Sequence, residues 1–207
     1  MTNFSQTPIK ELAGIIARQL EADGIEVVLV GGLAVEFYSK NIYLTKDIDM
    51  VNINYQAPAI IGETMAKLGF YKKGSIYKNT STKITVEFPS APLFVGDKLI
   101  KETTFITIGE YKIPILNRVD VVKDRLSAYF HWKDRPALAQ ALTVMTCHQI
   151  NPVDIKSFCI KISAASEPSF KTTPTGEPGF HYYQVLVTDF GHNSLWFSHL
   201  HFRWFQQ

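Results

Sequence analysis

The chain has 207 residues, of which 46% are hydrophobic and 19% charged; this composition suits one globular domain, with or without a small appendage, and excludes wholesale disorder. Its 21 basic and 19 acidic side chains leave a net charge of +2, too near balance to indicate nucleic acid or an anionic membrane. No apolar run reaches the roughly 18–20 residues of a membrane span, and the N-terminal segment lacks the apolar core of a signal peptide. Cys147 and Cys159 fit neither a disulfide framework nor a paired-cysteine zinc site. We therefore expect a cytoplasmic protein without a membrane partner.

The first predicted element is a helix, with Thr7 as its capping residue and Pro8 at its first position. Its apolar residues recur at helical spacing, at Ile9, Leu12, Ala13, Ile16 and Leu20. Asp23-Gly24 ends this helix, since glycine readily takes the left-handed conformation. Residues 25–30 are nearly all apolar and β-branched, which predicts a buried central strand.

Gly31-Gly32 interrupts this strand, and a short helix is expected over 33–38. Residues 47–53 alternate between polar and apolar side chains, as do residues 83–88, so both segments are predicted strands. A helix over 57–68 lies between them and ends at Gly69. Two further strands, 104–108 and 111–115, form a predicted hairpin about Gly109-Glu110. Proline at position 114 lacks an N–H, so the second of these strands is expected at a sheet edge.

Helices are predicted from residue 117 onward. Asn117, Asp134 and Asn151 each precede a helical pattern as a capping residue. The sequence thus indicates an α/β domain over 1–116 and a helical bundle over 117–164, followed by a linker and aromatic-rich tail over 165–207. Within the tail, strands over 182–187 and 194–205 are expected, and its role is left open.

Two carboxylates carry the chemistry of the first domain. Asp47 and Asp49 are two residues apart on a predicted strand, so their side chains share one face, with Cα atoms roughly 6.5–7 Å apart. Such a pair can converge on two Mg²⁺ ions about 3.5–4 Å apart, the separation used for in-line displacement at phosphorus. Mg²⁺ prefers hard oxygen ligands and leaves positions open for substrate phosphates. The alternative is a solvated strand face.

Gly31-Gly32 stands where a strand ends and a helix begins. This arrangement lets backbone N–H groups approach a phosphate closely, although many tight turns also use a glycine pair. A dinucleotide-binding fingerprint is excluded because no third glycine follows, and a P-loop is excluded because no Gly-Lys-Ser/Thr follows. Glycines followed about fifteen residues later by Asp-x-Asp on a strand are a more specific combination.

This combination resembles the DNA-polymerase-β-like nucleotidyltransferase superfamily, and most of all its small prokaryotic abortive-infection-type toxin members and their uncharacterised relatives. The matching residues are Gly31-Gly32, the helix end Tyr38-Ser39 and the segment 45–49, Thr-Lys-Asp-Ile-Asp. The resemblance covers roughly residues 8–163. It implies a mixed sheet flanked by helices and followed by a small helical bundle, and a Mg²⁺-dependent transfer of a nucleoside monophosphate from a nucleoside triphosphate.

The resemblance also implies roles for particular residues. Glu87 would be the third carboxylate and would join Asp47 and Asp49 as a catalytic and metal-binding residue. The predicted nucleotide-binding residues are Gly31, Gly32, Thr45, Lys46, Lys123 and Arg125. Lys123 and Arg125 lie about 200° apart around one helix, so only one of them can face a shared site. Asp134 would match a downstream acid of the family, or it caps its helix.

The chain departs from the family at two positions. Tyr43 stands where many relatives have an arginine, and the third acid is glutamate where aspartate is common. The acceptor is open among RNA, a protein side chain and a small molecule, and a toxin–antitoxin role would add a cognate partner protein. The alternative function is an inactive nucleotidyltransferase-fold module that binds or regulates a partner protein.

Overall fold

The computed structural model describes residues 3–166, with side chains described as far as residue 162. The chain divides into two compact units, Met1–Gln149 and Ile150–Gln207. The strands predicted over 182–187 and 194–205, and nearly all of the aromatic tail, lie outside the described residues. The predicted division at residue 116 stays a prediction. Within the described range, no helix has the length and apolarity needed to cross a membrane.

The first unit alternates helices and strands. Its first half contains α1 (Ile9–Ala22), β1 (Val27–Val30), α2 (Gly31–Tyr38), β2 (Asp47–Asn52) and α3 (Pro58–Lys67). Short strands follow, β3 (Tyr71–Lys73), β4 (Ile76–Lys78), β5 (Thr85–Glu87), β6 (Phe94–Val95) and β7 (Lys98–Leu99). The hairpin β8 (Thr104–Ile108) and β9 (Tyr111–Ile115) leads into α4 (Arg118–Trp132) and α5 (Arg135–His148). In the second unit, a 3-10 turn at Pro152–Ile155 precedes α6 (Lys156–Ser166).

Seven of these strands form one mixed sheet in the order β3-β4-β5-β2-β1-β9-β8. Strand β1 is antiparallel to β2, and β2 is parallel to β5. All four residues of β1 are buried, as expected for a central strand, and Ile48 and Met50 of β2 are fully buried. The predicted mixed α/β fold with flanking helices is confirmed.

Most helices and strands lie where local sequence patterns predict them, because caps and turns depend on only a few neighbouring residues. The side chains of Asn117, Asp134 and Asn151 each accept a hydrogen bond from a backbone N–H of the following turn, as predicted. Thr7 does not cap α1, however. The capping position is Pro8, whose side chain cannot accept a hydrogen bond. The helix therefore begins one residue later than predicted.

The edge position predicted from Pro114 is wrong. Strand β9 lies between β1 and β8, and β8 is the edge strand. The pairing of β9 with β1 consists of one residue pair, Leu29 with Ile115, and Leu116 N–H donates to Leu29 O at 3.2 Å. The missing N–H of Pro114 therefore interrupts no continuous ladder, and the proline is tolerated inside the sheet.

Two contacts fix the helices that lie nearest the sheet. A Cβ on Gly14 of α1 would lie 2.6 Å from the ring of Tyr111, so the glycine lets α1 pack closely against β9. At the end of α2, the Tyr38 hydroxyl donates to Leu116 O at 2.8 Å, and burial raises the pKa of this phenol to about 12. The C-terminal end of helix α2 is thereby attached to the connection between β9 and α4.

Candidate active site

The three predicted carboxylates come together on adjacent strands. Asp47 and Asp49 point away from the buried face that Ile48 and Met50 form on β2, because successive side chains of a strand alternate. Strand β5 runs parallel to β2, and its Glu87 pairs directly with Asp49. Three acids at neighbouring sheet positions therefore share one surface of the first unit.

Asp49 is seated against the glycine turn that joins β1 to α2. Gly31 has a φ of +64°, and a Cβ at this position would lie 2.9 Å from Asp49 Cγ and closer still to Oδ2. The backbone N–H of Gly32 donates to the Asp49 carboxylate. Residue 31 must therefore be glycine both for its backbone conformation and for the space that the carboxylate occupies.

The pKa of Asp49 is raised to about 6, first by burial and then by the negative charges of Asp47 and Glu87. The charge of Arg125 and the N–H of Gly32 act in the opposite direction. A carboxylate that is half-buried beside two other acids is poorly stabilised without a cation. The electrostatics of this surface therefore favour binding of a positively charged group.

Asp47 lies at the exposed end of β2, and its surroundings orient it. Its side chain accepts a hydrogen bond from the Thr85 hydroxyl of β5. Its backbone N–H donates to Thr45 Oγ1 at 3.2 Å. The same Thr45 oxygen would lie 3.2 Å from a Cβ on Gly32, so Thr45 packs beside the glycine turn, and its assignment to nucleotide binding remains a prediction.

The sequence analysis missed Glu36, a buried acid of α2 that is only 4% exposed. Its Oε2 accepts a hydrogen bond from the Thr45 backbone N–H at 3.0 Å, and its Oε1 lies 3.6 Å from Lys10 Nζ. Lys10 also donates to Asn41 in the loop before β2. Glu36 thus ties this loop to α1 and α2. Its signal in the sequence is one acid among the apolar residues of a short helix.

Arg125 is the basic residue of α4 that acts on Asp49, since its charge lowers the pKa of that acid. The Arg125 Nε also donates to Asp124 Oδ2 at 2.9 Å. Lys123 lies about 200° from Arg125 around α4, and its assignment to nucleotide binding remains a prediction. Asp134 caps α5, where its carboxylate accepts from Ala137 N–H at 3.3 Å, so the capping alternative holds.

Tyr43 and Lys46 lie on the loop that leads into β2. The Tyr43 ring would come within 3.5 Å of a Cβ on Gly32, so it packs beside the same glycine turn as Thr45. Lys46 lines a groove formed with residues of the 80–84 segment. Its assignment to nucleotide binding remains a prediction.

The donor set fits Mg²⁺ in chemistry, because carboxylate oxygens are the ligands that this ion prefers. The space left by Gly31 for the Asp49 carboxylate, and the raised pKa of that acid, agree with a cation at this position. Among the described residues, however, no group of three or more His, Cys, Asp or Glu side chains is placed so that it could hold a metal ion. In particular, the Asp47 side chain is hydrogen-bonded to Thr85. The three acids thus lie on one surface without converging on a common point.

No protein-family model matches this sequence, and no curated protein matches it either. Solved structures do match it. The crystal structure of ANT(2'')-Ia in complex with adenylyl-2''-tobramycin has a TM-score of 0.52 at 12% identity, over 74% of this chain and 94% of that one. The solution structure of the antibiotic-resistance factor ANT(2'')-Ia has a TM-score of 0.50 at 11% identity, over 89% and 98%.

A third solved structure is the crystal structure of an antigenic nucleotidyltransferase-like protein from Paracoccidioides brasiliensis. It has a TM-score of 0.55 at 13% identity, over 88% of both chains. At these identities the likeness is one of fold. The chain shares the fold of these nucleotidyltransferase structures, which agrees with the fold that its sequence resemblance implies.

Proposed function

We propose that the protein transfers a nucleoside monophosphate from a nucleoside triphosphate to an acceptor hydroxyl. Asp47, Asp49 and Glu87 would hold two Mg²⁺ ions. The observation that carries this proposal is the position of Asp49, whose carboxylate lies against Gly31-Gly32 with Glu87 as its direct strand neighbour. In a chain with this fold, the arrangement would bring an acidic metal-binding surface and a phosphate-binding turn together.

The glycine turn would bind the β- and γ-phosphates of the triphosphate. Gly31 and Gly32 are the first two residues of α2 and carry no side chains of their own. Because the Asp49 carboxylate lies against Gly31 and accepts from the Gly32 N–H, a phosphate would approach the turn beside this carboxylate. Arg125 acts on the same carboxylate surface from α4, and its guanidinium would add positive charge for the phosphates. Thr45, on the loop that leads into β2, would complete the nucleotide site.

In the reaction, the acceptor oxygen forms a bond to the α-phosphorus while the bond from this phosphorus to the bridging oxygen breaks. Pyrophosphate leaves, and the proton of the acceptor hydroxyl passes to solvent. When bound, Mg²⁺ increases the acidity of the attacking hydroxyl and stabilises the charge on the leaving pyrophosphate. The protein orients the reactants, because Asp47 and Asp49 are fixed by Thr85 and by Gly32 on a rigid sheet.

The acceptor remains open among RNA, a protein side chain and a small molecule. ANT(2'')-Ia was solved with adenylyl-2''-tobramycin, so one structural neighbour holds a nucleotidylated small molecule. A role as a toxin–antitoxin component, with a cognate partner protein, stays a prediction from the sequence resemblance.

A transfer assay tests the proposal. The purified protein is incubated with each of the four nucleoside triphosphates, labelled at the α-phosphate, and Mg²⁺. Total RNA, cell-extract protein and cell-extract small molecules serve as acceptors. We expect label transfer by the wild-type protein and by Glu63→Gln, which changes an exposed acid of α3. Asp47→Asn and Asp49→Asn should lose transfer by at least about a thousandfold, as with other groups that stabilise a transition state.

The inactive-module alternative makes the opposite prediction. It predicts no label transfer and no Mg²⁺-dependent nucleotide binding, together with a stable complex with a partner protein. Transfer that survives Asp49→Asn would also refute the proposed mechanism, because the activity would then come from another site.

A further inference from the structure

A groove of about 490 Å³ opens at the residue that precedes β2. It is lined by two lysines, Lys46 and Lys83, together with five serine or threonine side chains and Ile84, and no carboxylate is among its lining residues. Its volume falls within the roughly 300–1,000 Å³ of small-molecule sites. None of the catalytic roles assigned above accounts for Lys83 or for the hydroxyl groups.

One residue that lines the groove is the direct sequence neighbour of an acid of the site. Lys46 precedes Asp47, so their Cα atoms are about 3.8 Å apart. The Thr85 backbone N–H donates to Lys46 O at 3.0 Å, which holds the 80–84 segment beside the start of β2. The groove therefore begins at the residue that precedes the outer acid of the site.

Both lysine side chains are exposed, and neither takes part in a salt bridge or hydrogen bond with the residues that the structure describes. Two ammonium groups without a carboxylate partner in the groove attract an anion. Hydroxyl groups such as that of Thr80 are hydrogen-bond donors to phosphate oxygens. Phosphate is the anion whose charge and oxygens match this combination.

We propose that the groove binds a phosphate group of the acceptor, and this inference rests on the proposed function. With its phosphate held by Lys46 and Lys83, the acceptor would present its hydroxyl beside Asp47, where the nucleotide's α-phosphate is attacked. The acceptor class is thus a phosphorylated molecule, and the groove disfavours an acceptor that carries several positive charges.

Equilibrium binding without nucleotide and without Mg²⁺ tests the groove. The probes are a fluorescein-labelled short single-stranded RNA, measured by anisotropy, and ribose 5-phosphate, measured by calorimetry. The variants are Lys83→Gln and Lys83→Glu, with Lys101→Gln as a control at an exposed lysine outside the groove. Loss of one phosphate contact should weaken RNA binding about fivefold and reduce the slope of log K against log salt by about 0.7.

The expected result is binding of at least one probe that Lys83→Gln weakens, Lys83→Glu weakens further and Lys101→Gln leaves unchanged. Binding of the RNA alone identifies a phosphodiester acceptor, and binding of ribose 5-phosphate alone identifies a small phosphorylated one. If neither probe binds, or if Lys83→Gln and Lys101→Gln behave alike, the groove proposal is wrong. A parallel MgATP titration separates the two proposals. If the protein binds a probe in a Lys83-dependent way but does not bind MgATP, only the proposed function is overturned.

Discussion

The Asp49 carboxylate occupies the space that a side chain on Gly31 would fill. Gly31 has a φ of +64°, and a Cβ at this position would lie 2.9 Å from Asp49 Cγ. Because Gly31, which follows the last residue of β1, has no Cβ, the Asp49 side chain of β2 can pack against the backbone at this point. This relationship makes the position of the candidate metal ligand dependent on a glycine eighteen residues earlier in the chain.

Gly31→Ala should therefore destabilise the protein more than Gly24→Ala, which supplies a matched control. Gly24 also has a positive φ, of +75°, but a Cβ there would meet nothing within 4 Å. Gly24→Ala should cost about 1–2 kcal/mol for the left-handed conformation alone. Gly31→Ala should cost a further 1–3 kcal/mol, on the order of a typical overpacking penalty. Urea unfolding of both variants gives the comparison.

The additional cost at Gly31 comes from Asp49, so Asp49→Ala should relieve part of it. A double-mutant cycle of Gly31→Ala with Asp49→Ala is expected to show a coupling of about 1 kcal/mol or more. Additive effects would mean that the two residues do not interact in solution.

Asp49→Asn should stabilise the metal-free protein at neutral pH. The pKa of Asp49 is raised from its ordinary value of 3.8 to about 6, with burial as the largest cause. A carboxyl group with a raised pKa in the folded state favours folding at low pH, and this contribution is lost as pH rises through about 6. The difference corresponds to at most about 3 kcal/mol, which asparagine would recover at pH 7.5.

Urea unfolding in a metal chelator at pH 4 and pH 7.5 measures this effect. The gain from Asp49→Asn should be large at pH 7.5 and close to zero at pH 4, where the wild-type carboxyl is protonated in the folded state. Glu63→Gln should show no comparable gain at either pH. A wild-type protein more stable than Asp49→Asn at pH 7.5 would contradict the electrostatic description of the site.

Glu36 is expected to act as a positioning residue for the loop that carries Thr45 and leads to Asp47. Glu36→Gln keeps an acceptor for the Thr45 N–H but removes the charge beside Lys10, whereas Glu36→Ala removes both interactions. Glu36 is buried whereas Lys10 is partly exposed, so the loss of these interactions should cost about 1–3 kcal/mol, and both variants should unfold at lower urea concentrations. In transfer assays, we expect kcat to fall more for Glu36→Ala than for Glu36→Gln.

The kcat difference between these two variants distinguishes positioning from stability alone. If both variants lose stability yet keep the wild-type kcat at a temperature where they are folded, Glu36 supports the fold and does not orient Thr45.

Arg125 should contribute more to nucleotide affinity than Lys123 does. Arg125 is the α4 cation whose charge lowers the pKa of Asp49. Calorimetry with MgATP should therefore show a loss of about tenfold or more for Arg125→Gln, since a charge-assisted contact to phosphate is lost. Lys123→Gln should change the affinity less. Equal losses, or a larger loss for Lys123→Gln, would indicate that the other face of α4 meets the nucleotide.

Much of the fold was predictable because its signals are local. Alternation in β2 and the caps at Asn117 and Asp134 each act within a few residues, so they can be recognised without knowledge of the sheet. The place of β9 inside the sheet was not predictable from Pro114, since it depends on pairing with β1, which lies more than eighty residues earlier in the chain. Strand order is a property of long-range contacts.

The same distinction applies to the site. The shared face of Asp47 and Asp49 follows from strand geometry, whereas the pairing of Glu87 with Asp49 depends on the register of two parallel strands. The burial of Glu36 has no counterpart in local sequence spacing, because it arises from Thr45 and Lys10, which lie on other segments. Residues of this kind are found by their contacts in the structure.

The most direct test of the central claim is a calorimetric titration of the wild-type protein and Asp49→Asn with each nucleoside triphosphate, with and without Mg²⁺. The account predicts saturable binding of at least one nucleotide that requires Mg²⁺ and is lost in Asp49→Asn, a variant that stays folded. Absence of nucleotide binding by the folded wild-type protein, or binding that Asp49→Asn leaves intact, would contradict it.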